Sequence, residues 1–427
     1  MGPTSEDCLY LNVWTPSGQP VEGLPVMVWI HGGAFTTGAA SIPLYHGANL
    51  AACGVVVVTV NYRLGPLGFL AHPDLSAESG EGVSGNYGLL DQVAALKWIR
   101  ENIHAFGGNA GCVTLFGQSA GASSICLLLT SPYAAGLFHR AIVQSAPLWV
   151  KKGLPAASRP LEEEEKAGIM LAQRLGLSGP GVLEPLRQLP AERLVEVANP
   201  AAGIEALGRN LQFGPAIDGN IIPGDPVVFI AGGKFHDVPL MVGSNAREAD
   251  LFTRGLSITP EQYREAAGML LGDYSEGFLD LFPVPGGGEA VDALGALFTV
   301  TEFTAPARFL AGSFENRGSA WLYDFIAEAP GNPPGPCHGA EIPYVFGNLE
   351  PWLSCTDSDR KLSRLMMDLW TGFARLGDPG GDGLPRWPEY SRRGGVLLEL
   401  GREVKAARGR YHAACSLAEK MHLERSG

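Results

Sequence analysis

The sequence predicts an α/β fold with a mostly parallel central sheet flanked by helices. Three observations predict it. Short apolar runs alternate with stretches of helical periodicity, a pattern typical of parallel strands buried on both faces. Hydrophobic residues make up 46% of the 427 residues and charged residues only 18%, which is enough apolar surface for a large core. A glycine-flanked serine also lies between a predicted strand and a predicted helix, as it does at the carboxyl edge of some sheets of this kind.

Six of the apolar runs are predicted strands. Each is short, mostly apolar and bounded by turn or polar residues, as expected for strands of a buried sheet. Between the second and the third, residues 88–103 place apolar side chains on one helical stripe, which predicts a crossover helix. The predicted strands are Val26–Ile30, Val55–Val60, Val113–Phe116, Ala141–Gln144, Pro239–Val242 and Trp321–Phe325.

Two stretches with helical patterns interrupt this alternation. Residues 148–237 are predicted as a helical insertion that separates a first core segment, 1–147, from a second, 238–427. The second segment contains another helical insertion near 259–309. Insertions of this kind commonly lie above the carboxyl ends of parallel strands and shape a pocket there. We therefore expect both insertions to lie over the active site.

The bulk composition excludes several classes of partner. A net charge of −13 repels phosphate backbones, so nucleic acid is not an expected partner. The seven cysteines include no C-x-x-C pair, which argues against a zinc or dithiol site and for reduced thiols. No apolar run is long enough to cross a bilayer, and MGPTSEDCLY lacks the basic and apolar regions of a signal peptide. A cytoplasmic location is the resulting expectation.

The pentapeptide Gly117-Gln118-Ser119-Ala120-Gly121 fits the pattern G-x-S-x-G. Such a short match occurs by chance in a glycine-rich chain, so the flanking elements decide its meaning. CVTLF predicts a strand that ends just before the motif, and ASSICLLL predicts a helix that begins just after it. A strand–turn–helix holds a serine hydroxyl exposed on a sharp elbow, beside a helix N-terminus that favours negative charge. Ser119 is therefore a candidate nucleophile.

The loop HGGAF, residues 31–35, follows the first predicted strand directly. Its small residues let backbone N–H groups come close to a substrate oxyanion, as HGG-type loops do in enzymes with such an elbow. The N–H of Ala120 would be a further donor. His31 precedes the serine, whereas the general base follows it in this architecture. We therefore interpret His31 as a structural support of the loop.

His338 is the candidate base. It follows the last predicted strand through a Pro- and Gly-rich loop, and a loop at that edge can place an imidazole over the elbow. His236 lies just before the fifth predicted strand and therefore at its opposite end. His412 and His422 fall in a polar C-terminal helix, where surface roles are expected.

The acid that would orient this base is expected after the fifth predicted strand, in PLMVGSNAREADLF. Glu248 and Asp250 both lie in that segment. Either carboxylate could orient the imidazole and stabilise the imidazolium. Asp250 also suits a helix N-terminus, and spacing alone does not separate the two.

Long stretches of the chain resemble the type-B carboxylesterase and cholinesterase-like family. The resemblance runs over nearly the whole sequence and implies an α/β-hydrolase fold. It also implies hydrolysis of small-molecule carboxylic esters without a metal or an organic cofactor, by a monomer or a homodimer. The sequence is short at its N-terminus relative to the family. The stretches that carry the resemblance are SEDCLYLNVWTP, HGGAF, NYRLGPLGFL, GNYGLLDQVAALKWIRENIHAFGGN, GQSAG, GSNAREADLF, HGAEIPYVFG and LMMDLWTGFARLGDP.

Position by position, the resemblance implies a Ser–His–Glu triad. Ser119 matches the nucleophile and His338 the base, and Glu248 matches the acid, which decides against Asp250. The family's oxyanion hole has three N–H donors, and a further serine hydrogen-bonds near the acid. The matching donors are Gly33, Ala34 and Ala120, with Gly32 beside them, and Ser145 in IVQSAP matches the supporting serine.

Three residues depart from the family's pattern. Gln118 replaces the common glutamate beside the nucleophile, and Ala249 replaces the glycine that usually follows the acid. Asn109 stands where the family has an acid. We therefore expect Arg63 to make at best a neutral hydrogen bond there instead of an ion pair.

The resulting hypothesis is two-step acyl transfer through an acyl-serine, on esters of short to medium acyl chains. A lipase, or an amide or carbamate hydrolase, on the same triad is the alternative enzyme. A non-catalytic cholinesterase-like binding protein is the alternative from another class. The presence of all three triad residues argues against that last alternative.

Overall fold

A nine-stranded sheet runs through the described part of the chain. The structure, a computed structural model, describes residues 4–16, 23–149, 158–179, 181–199, 211–284, 290–328, 335–350 and 354–426. The strands of the large sheet are β1 Leu11–Trp14, β2 Leu24–Ile30, β3 Val56–Val60, β4 Gly108–Gln118, β5 Arg140–Gln144, β8 Leu240–Asn245, β9 Ala320–Phe325, β10 Val396–Leu400 and β11 Val404–Arg408, and two short strands, β6 Arg159–Pro160 and β7 Ala216–Ile217, pair separately.

The strand order of the large sheet is β1-β3-β2-β4-β5-β8-β9-β10-β11. All neighbouring strands from β3 to β10 pair in parallel, and only the two outermost strands, β1 and β11, pair antiparallel. All six predicted strands are present, and the prediction of an α/β fold with a mostly parallel central sheet is confirmed. The parallel strands therefore share one carboxyl edge, where the loops after them meet.

Both faces of the sheet are buried because alternate side chains of each strand enter different hydrophobic clusters. In β2, Val26, Val28 and Ile30 contribute to one cluster, whereas Met27 and Trp29 contribute to the other. This alternation follows from the two-residue period of a strand. It explains why these strands are read as continuous apolar runs in the sequence.

Helices cover both faces, and the two segments predicted as insertions contain helices. The predicted crossover helix over 88–103 is present as α4. The proposed division at residues 147 and 238 stays a prediction. The helices are α1 Ala48–Ala51, α2 Gly65–Phe69, α3 Pro73–Glu78, α4 Tyr87–Asn102, α5 Ala120–Thr130, α6 Leu161–Arg174, α7 Leu183–Arg187, α8 Ala191–Ala198, α9 Pro226–Ala231, α10 Asp250–Thr253, α11 Pro260–Leu271, α12 Ser275–Leu281, α13 Ala290–Thr299, α14 Ala305–Ser313, α15 Ile342–Phe346, α16 Asp357–Leu376 and α17 His412–Ser426.

The last helix corrects one expectation about its histidines. His422 is buried, with 4% of its surface exposed, and its ring stacks on Trp149 at 4.4 Å between centroids. The expected surface role for this residue is wrong, because α17 packs against α14 and buries one of its faces. His412 lies on the surface and contacts the guanidinium of Arg308 at 2.9 Å. In the described residues, none of the helices is both long and apolar enough to cross a membrane.

Candidate active site

Ser119 lies on a strained turn between β4 and α5. Its backbone has φ 56° and ψ −125°, a conformation that costs a non-glycine residue about 1–3 kcal/mol. The glycines on either side are required by space: a Cβ on Gly117 would lie 2.7 Å from the carbonyl oxygen of Ile30, and one on Gly121 only 2.0 Å from it. The serine itself is partly exposed. The sharp elbow predicted from G-x-S-x-G is therefore present.

His338 reaches the elbow from the loop between β9 and α15. Its Nδ1 lies 2.6 Å from Oε2 of Glu248, and 9% and 0% of the two side chains are exposed. Glu248 follows β8, and its other oxygen, Oε1, accepts the backbone N–H of Asn245 at 2.7 Å. A carboxylate oxygen at this distance accepts a hydrogen bond, which requires a proton on Nδ1 of the imidazole.

Asp250 takes another partner. Its carboxylate lies 2.7 Å from Nε of Arg247, at the start of α10. Partial burial raises its pKa, and Arg247 opposes that shift. Glu248, and not Asp250, is the carboxylate in contact with His338.

The HGGAF loop, residues 31–35, follows β2 with an unusual backbone. Gly33, Ala34 and Phe35 all have positive φ, at 116°, 53° and 59°. A Cβ on Gly33 would lie 2.1 Å from the carbonyl oxygen of Thr37, so this position requires glycine. Strain in consecutive residues is typical of a loop shaped for a function.

Three backbone N–H groups at this edge are available as donors. Within the described residues, the N–H groups of Gly33 and Ala34 have no hydrogen-bond acceptor. Ala120 is the first residue of α5, and the first N–H groups of a helix have no acceptor inside it. Such donors beside a nucleophile can stabilise an oxyanion.

His31 supports the HGGAF loop from below. The imidazole is 1% exposed and stacks on Tyr62 at 4.5 Å, and its Nδ1 donates to the carbonyl of Gly32 at 2.8 Å. The hydroxyl of Tyr62 donates to the carbonyl of His31 at 2.8 Å. Burial lowers the pKa of His31 to about 4, so the ring is neutral at pH 7.

Comparison with known proteins identifies the family. A sequence model of the Carboxylesterase family matches residues 1–269 and 286–418. The chain belongs to the Carboxylesterase family. This carboxylesterase is 40% identical over 414 residues to the para-nitrobenzyl esterase of Bacillus subtilis, a match that covers 94% of the chain and 80% of that relative. It is 39% identical over 419 residues to the fumonisin B1 esterase of Sphingopyxis macrogoltabida, covering 95% of the chain and 75% of that relative.

Solved structures show the same fold. A PNB esterase superposes with a TM-score of 0.83 at 37% identity, covering 97% of this chain and 85% of that one. A thermophilic PNB esterase gives a TM-score of 0.81 at 36% identity, covering 97% of this chain and 84% of that one. The α/β-hydrolase fold and the hydrolysis of carboxylic esters are therefore established for this chain.

Two aromatic side chains stand beside the imidazole of the esterase. The ring centroids of Phe303 and Phe252 lie 4.8 Å and 5.2 Å from that of His338. Phe303 comes from a π-helical turn, Val300–Thr304, between α13 and α14; π-turns often occur at functional sites. Phe252 is 50% exposed, so an apolar surface borders the catalytic edge.

A buried polar network lies behind Glu248 and was not predicted from the sequence. The side-chain amide of Asn245 donates to the carbonyl of Cys337 at 2.7 Å and to Oε2 of Glu341 at 2.6 Å. The other oxygen of Glu341 accepts from Gln144 at 3.0 Å. Burial and the nearby Glu248 raise the pKa of Glu341. Asn245 therefore ties the loop that carries His338 to β8, the strand that Glu248 follows.

Two expectations from the family resemblance differ from the structure. Ser145 follows β5 directly, with φ 53°. Its buried hydroxyl has no hydrogen-bond partner in the described residues, so the expected hydrogen bond near Glu248 is absent there. Arg63 forms a bidentate ion pair with Asp91, at 2.7 Å and 2.8 Å. Asn109 instead accepts the N–H of Gly111 in its own turn. The expectation of a neutral bond between Arg63 and Asn109 is wrong, because Asp91 supplies the carboxylate.

The described residues contain no group of three or more His, Cys, Asp or Glu side chains arranged to hold a metal ion. All seven cysteines lie in this part of the chain, and none of them forms a disulfide.

Proposed function

We propose that this carboxylesterase works through an acyl-serine formed on Ser119, with His338 as base and Glu248 as the acid that orients it. The observation that carries the proposal is the 2.6 Å contact between Nδ1 of His338 and the fully buried carboxylate of Glu248, above the strained serine elbow. A histidine whose Nδ1 proton is held in this way carries its lone pair on Nε2 and can accept a proton there.

In the first step, Oγ of Ser119 attacks the ester carbonyl carbon while its proton passes to Nε2 of His338. The carbonyl π electrons move to oxygen and form an oxyanion. The tetrahedral intermediate then collapses, the bond from carbon to the alcohol oxygen breaks, and Nε2 returns the proton to the departing alcohol. Water repeats the sequence on the acyl-serine and releases the carboxylic acid.

The N–H groups of Gly33, Ala34 and Ala120 are the proposed oxyanion donors. All three belong to backbone that is fixed before substrate arrives, because Gly33 and Ala34 lie in a strained loop and Ala120 opens α5. Donors that need no reorganisation stabilise developing charge most effectively. Each such donor contributes on the order of a hundredfold in rate.

Small esters with short to medium acyl chains are the proposed substrates. The Bacillus relative is a para-nitrobenzyl esterase, which makes p-nitrobenzyl and p-nitrophenyl esters suitable probes. The apolar rings of Phe252 and Phe303 beside His338 support a substrate with an apolar portion near the reacting carbonyl.

Substitution of the serine tests the proposal. Ser119→Ala should lower kcat/KM for p-nitrophenyl butyrate by a factor on the order of 10⁴ or more and abolish covalent labelling by an organophosphate. Ser123→Ala is the matched control: Ser123 lies one turn along α5 and donates to the carbonyl of Pro147 at 2.8 Å. Turnover that persists in a folded Ser119→Ala variant would overturn the proposal.

A series of p-nitrophenyl esters of rising chain length tests the substrate class. The expected maximum of kcat/KM lies at short to medium chains. A maximum at long chains, with a rise in rate when the substrate forms an emulsion, would identify a lipase instead.

A further inference from the structure

We propose that Gln118 is a positioning residue for the catalytic histidine: its side-chain amide donates a hydrogen bond to Nε2 of His338 and keeps the imidazole neutral and correctly turned in the resting enzyme. The inference rests on the proposed function, in which Nε2 accepts the proton of Ser119. The observation that carries it is a 3.0 Å contact between Nε2 of Gln118 and Nε2 of His338.

The sheet explains why this side chain reaches the histidine. Gln118 is the last residue of β4 and shares a face with Phe116 two residues earlier. Phe116 packs in the cluster that also contains Ile342 of α15, and the loop that carries His338 leads directly into that helix. The glutamine therefore points toward the histidine loop, whereas α5 packs on the opposite face.

Gly32 leaves room for the amide, and Gly339 borders it at van der Waals distance. A Cβ on Gly32 would lie 3.0 Å from Oε1 of Gln118, and one on Gly339 would lie 3.8 Å from its Nε2. The side chain is 5% exposed. It therefore lies between the HGGAF loop on one side and the histidine loop on the other.

The direction of the hydrogen bond follows from the other end of the imidazole. Nδ1 lies 2.6 Å from the carboxylate of Glu248 and must carry a proton to make that bond. In the neutral ring Nε2 is then a bare acceptor. An amide N–H can donate to it, whereas a carboxylate at the same place could contact it only if Nε2 were protonated.

The amide therefore biases protonation of the base. A hydrogen bond to the neutral form disfavours the charged form, so the amide favours the neutral ring, whose Nε2 can accept a proton. The charged and titratable groups around this histidine are Glu248 in contact with it, Glu341 behind the network of Asn245, the thiol of Cys337 next to it in sequence, and the Arg247–Asp250 pair at the start of α10.

The same lone pair accepts the amide in the resting enzyme and the proton of Ser119 during acylation. The amide must move away when substrate binds and the serine attacks. Its function is consequently to fix the ring before the reaction, while the proton transfer itself runs between Ser119 and His338.

The test compares the pH dependence of kcat/KM in wild type, Gln118→Glu and Gln118→Met. In Gln118→Glu a carboxylate replaces the donor and stabilises the imidazolium, so the midpoint of the acidic limb should rise by about one pH unit or more. Gln118→Met removes the donor at similar volume and should move the midpoint in the same direction by less. Above these midpoints both variants should regain most of their activity.

Gln92→Glu is the matched control for burying a carboxylate. Gln92 is also almost fully buried, at 1% exposure, and its amide donates to Ser124 on α5 at 3.2 Å. This variant should lose stability without moving the midpoint of the acidic limb. If Gln118 had a purely structural role, the Gln118 variants would also lose stability without moving this midpoint. The position of the acidic limb therefore distinguishes a positioning role from a structural one.

If Gln118→Glu and Gln118→Met fold and the midpoint of the acidic limb of kcat/KM is the same as in wild type, the inference is overturned. If neither variant folds, ¹⁵N NMR of histidine-labelled wild type decides: a protonated Nδ1 with Nε2 as acceptor is expected at pH 7, and the opposite tautomer would overturn the inference. Failure of the proposed function has a different signature, because Ser119→Ala would then keep its turnover.

Discussion

Lowering the pH should destabilise this esterase partly through one residue, His31. The imidazole is 1% exposed, and burial lowers its pKa from 6.5 to about 4. Its Nε2 has no hydrogen-bond partner in the described residues, so a proton added there would be buried without an acceptor. Between pH 6.5 and pH 4 the unfolded chain therefore binds a proton that the folded chain does not.

The sign and the magnitude of the pH effect on stability follow from this difference in bound protons. Because the unfolded state binds more protons in this window, the free energy of unfolding falls as the pH is lowered. At pH 7 the residue is neutral in both states and has almost no effect. At pH 5 it is protonated in the unfolded chain and mostly neutral in the folded one, which lowers the free energy of unfolding by about 2 kcal/mol.

Urea denaturation of wild type and His31→Asn at pH 7 and pH 5 measures this effect. Asparagine does not titrate, and its amide can still donate to the carbonyl of Gly32. Other acid-sensitive groups act equally on both proteins. Between pH 7 and pH 5 the free energy of unfolding of wild type should therefore fall by about 2 kcal/mol more than that of the variant. Equal losses in the two proteins would refute the reasoning. His31→Gln gives a second comparison if the asparagine variant does not fold.

Two further substitutions test the elbow and the ion pair beside it. Gly121→Ala should abolish activity and lower Tm by several degrees, because the new Cβ would lie 2.0 Å from a backbone carbonyl oxygen of β2. Gly268→Ala, in a helix with nothing within 4 Å of its new Cβ, should instead raise stability slightly. Asp91→Asn should lower the free energy of unfolding, measured by urea denaturation, by about 2 kcal/mol. The reason is that the carboxylate, only 6% exposed, binds Arg63 through two side-chain hydrogen bonds. Asp357→Asn, 94% exposed, should change stability by no more than about half a kcal/mol, and equal losses for both aspartates would contradict this reading.

The central strands could be predicted from the sequence because burial on both faces makes each of them a continuous apolar run. β1 was not predicted, and all four of its residues are only partly buried. β10 and β11 were also not predicted. β11 is the other edge strand, and its two partly buried and three exposed positions do not alternate regularly. Edge strands of this kind are held by pairing with a neighbour, and a pairing partner leaves no signal in the strand's own sequence.

The candidate site likewise has one part that the sequence predicts and one part that it does not. The elbow and the HGGAF loop depend on local backbone shape, so short motifs predict them, and Glu248 follows from the family resemblance. The ion pair of Asp91 with Arg63 and the contact of Gln118 with His338 depend on side chains brought together from distant segments. His422 was assigned to the surface because its own helix is polar, whereas its burial is decided by Trp149.

Backbone strain in this protein is concentrated where the strands end. Seven non-glycine residues in the described part of the chain have positive φ, and four of them, Ala34, Phe35, Ser119 and Ser145, follow β2, β4 or β5 within five residues. Parallel strands end at one edge, so these conformations face one another around the same site. Each costs about 1–3 kcal/mol and persists because the carboxyl-terminal parts of the strands behind it are buried. The rigidity of the sheet is therefore what allows the serine, its donors and the histidine to be held in place before substrate arrives.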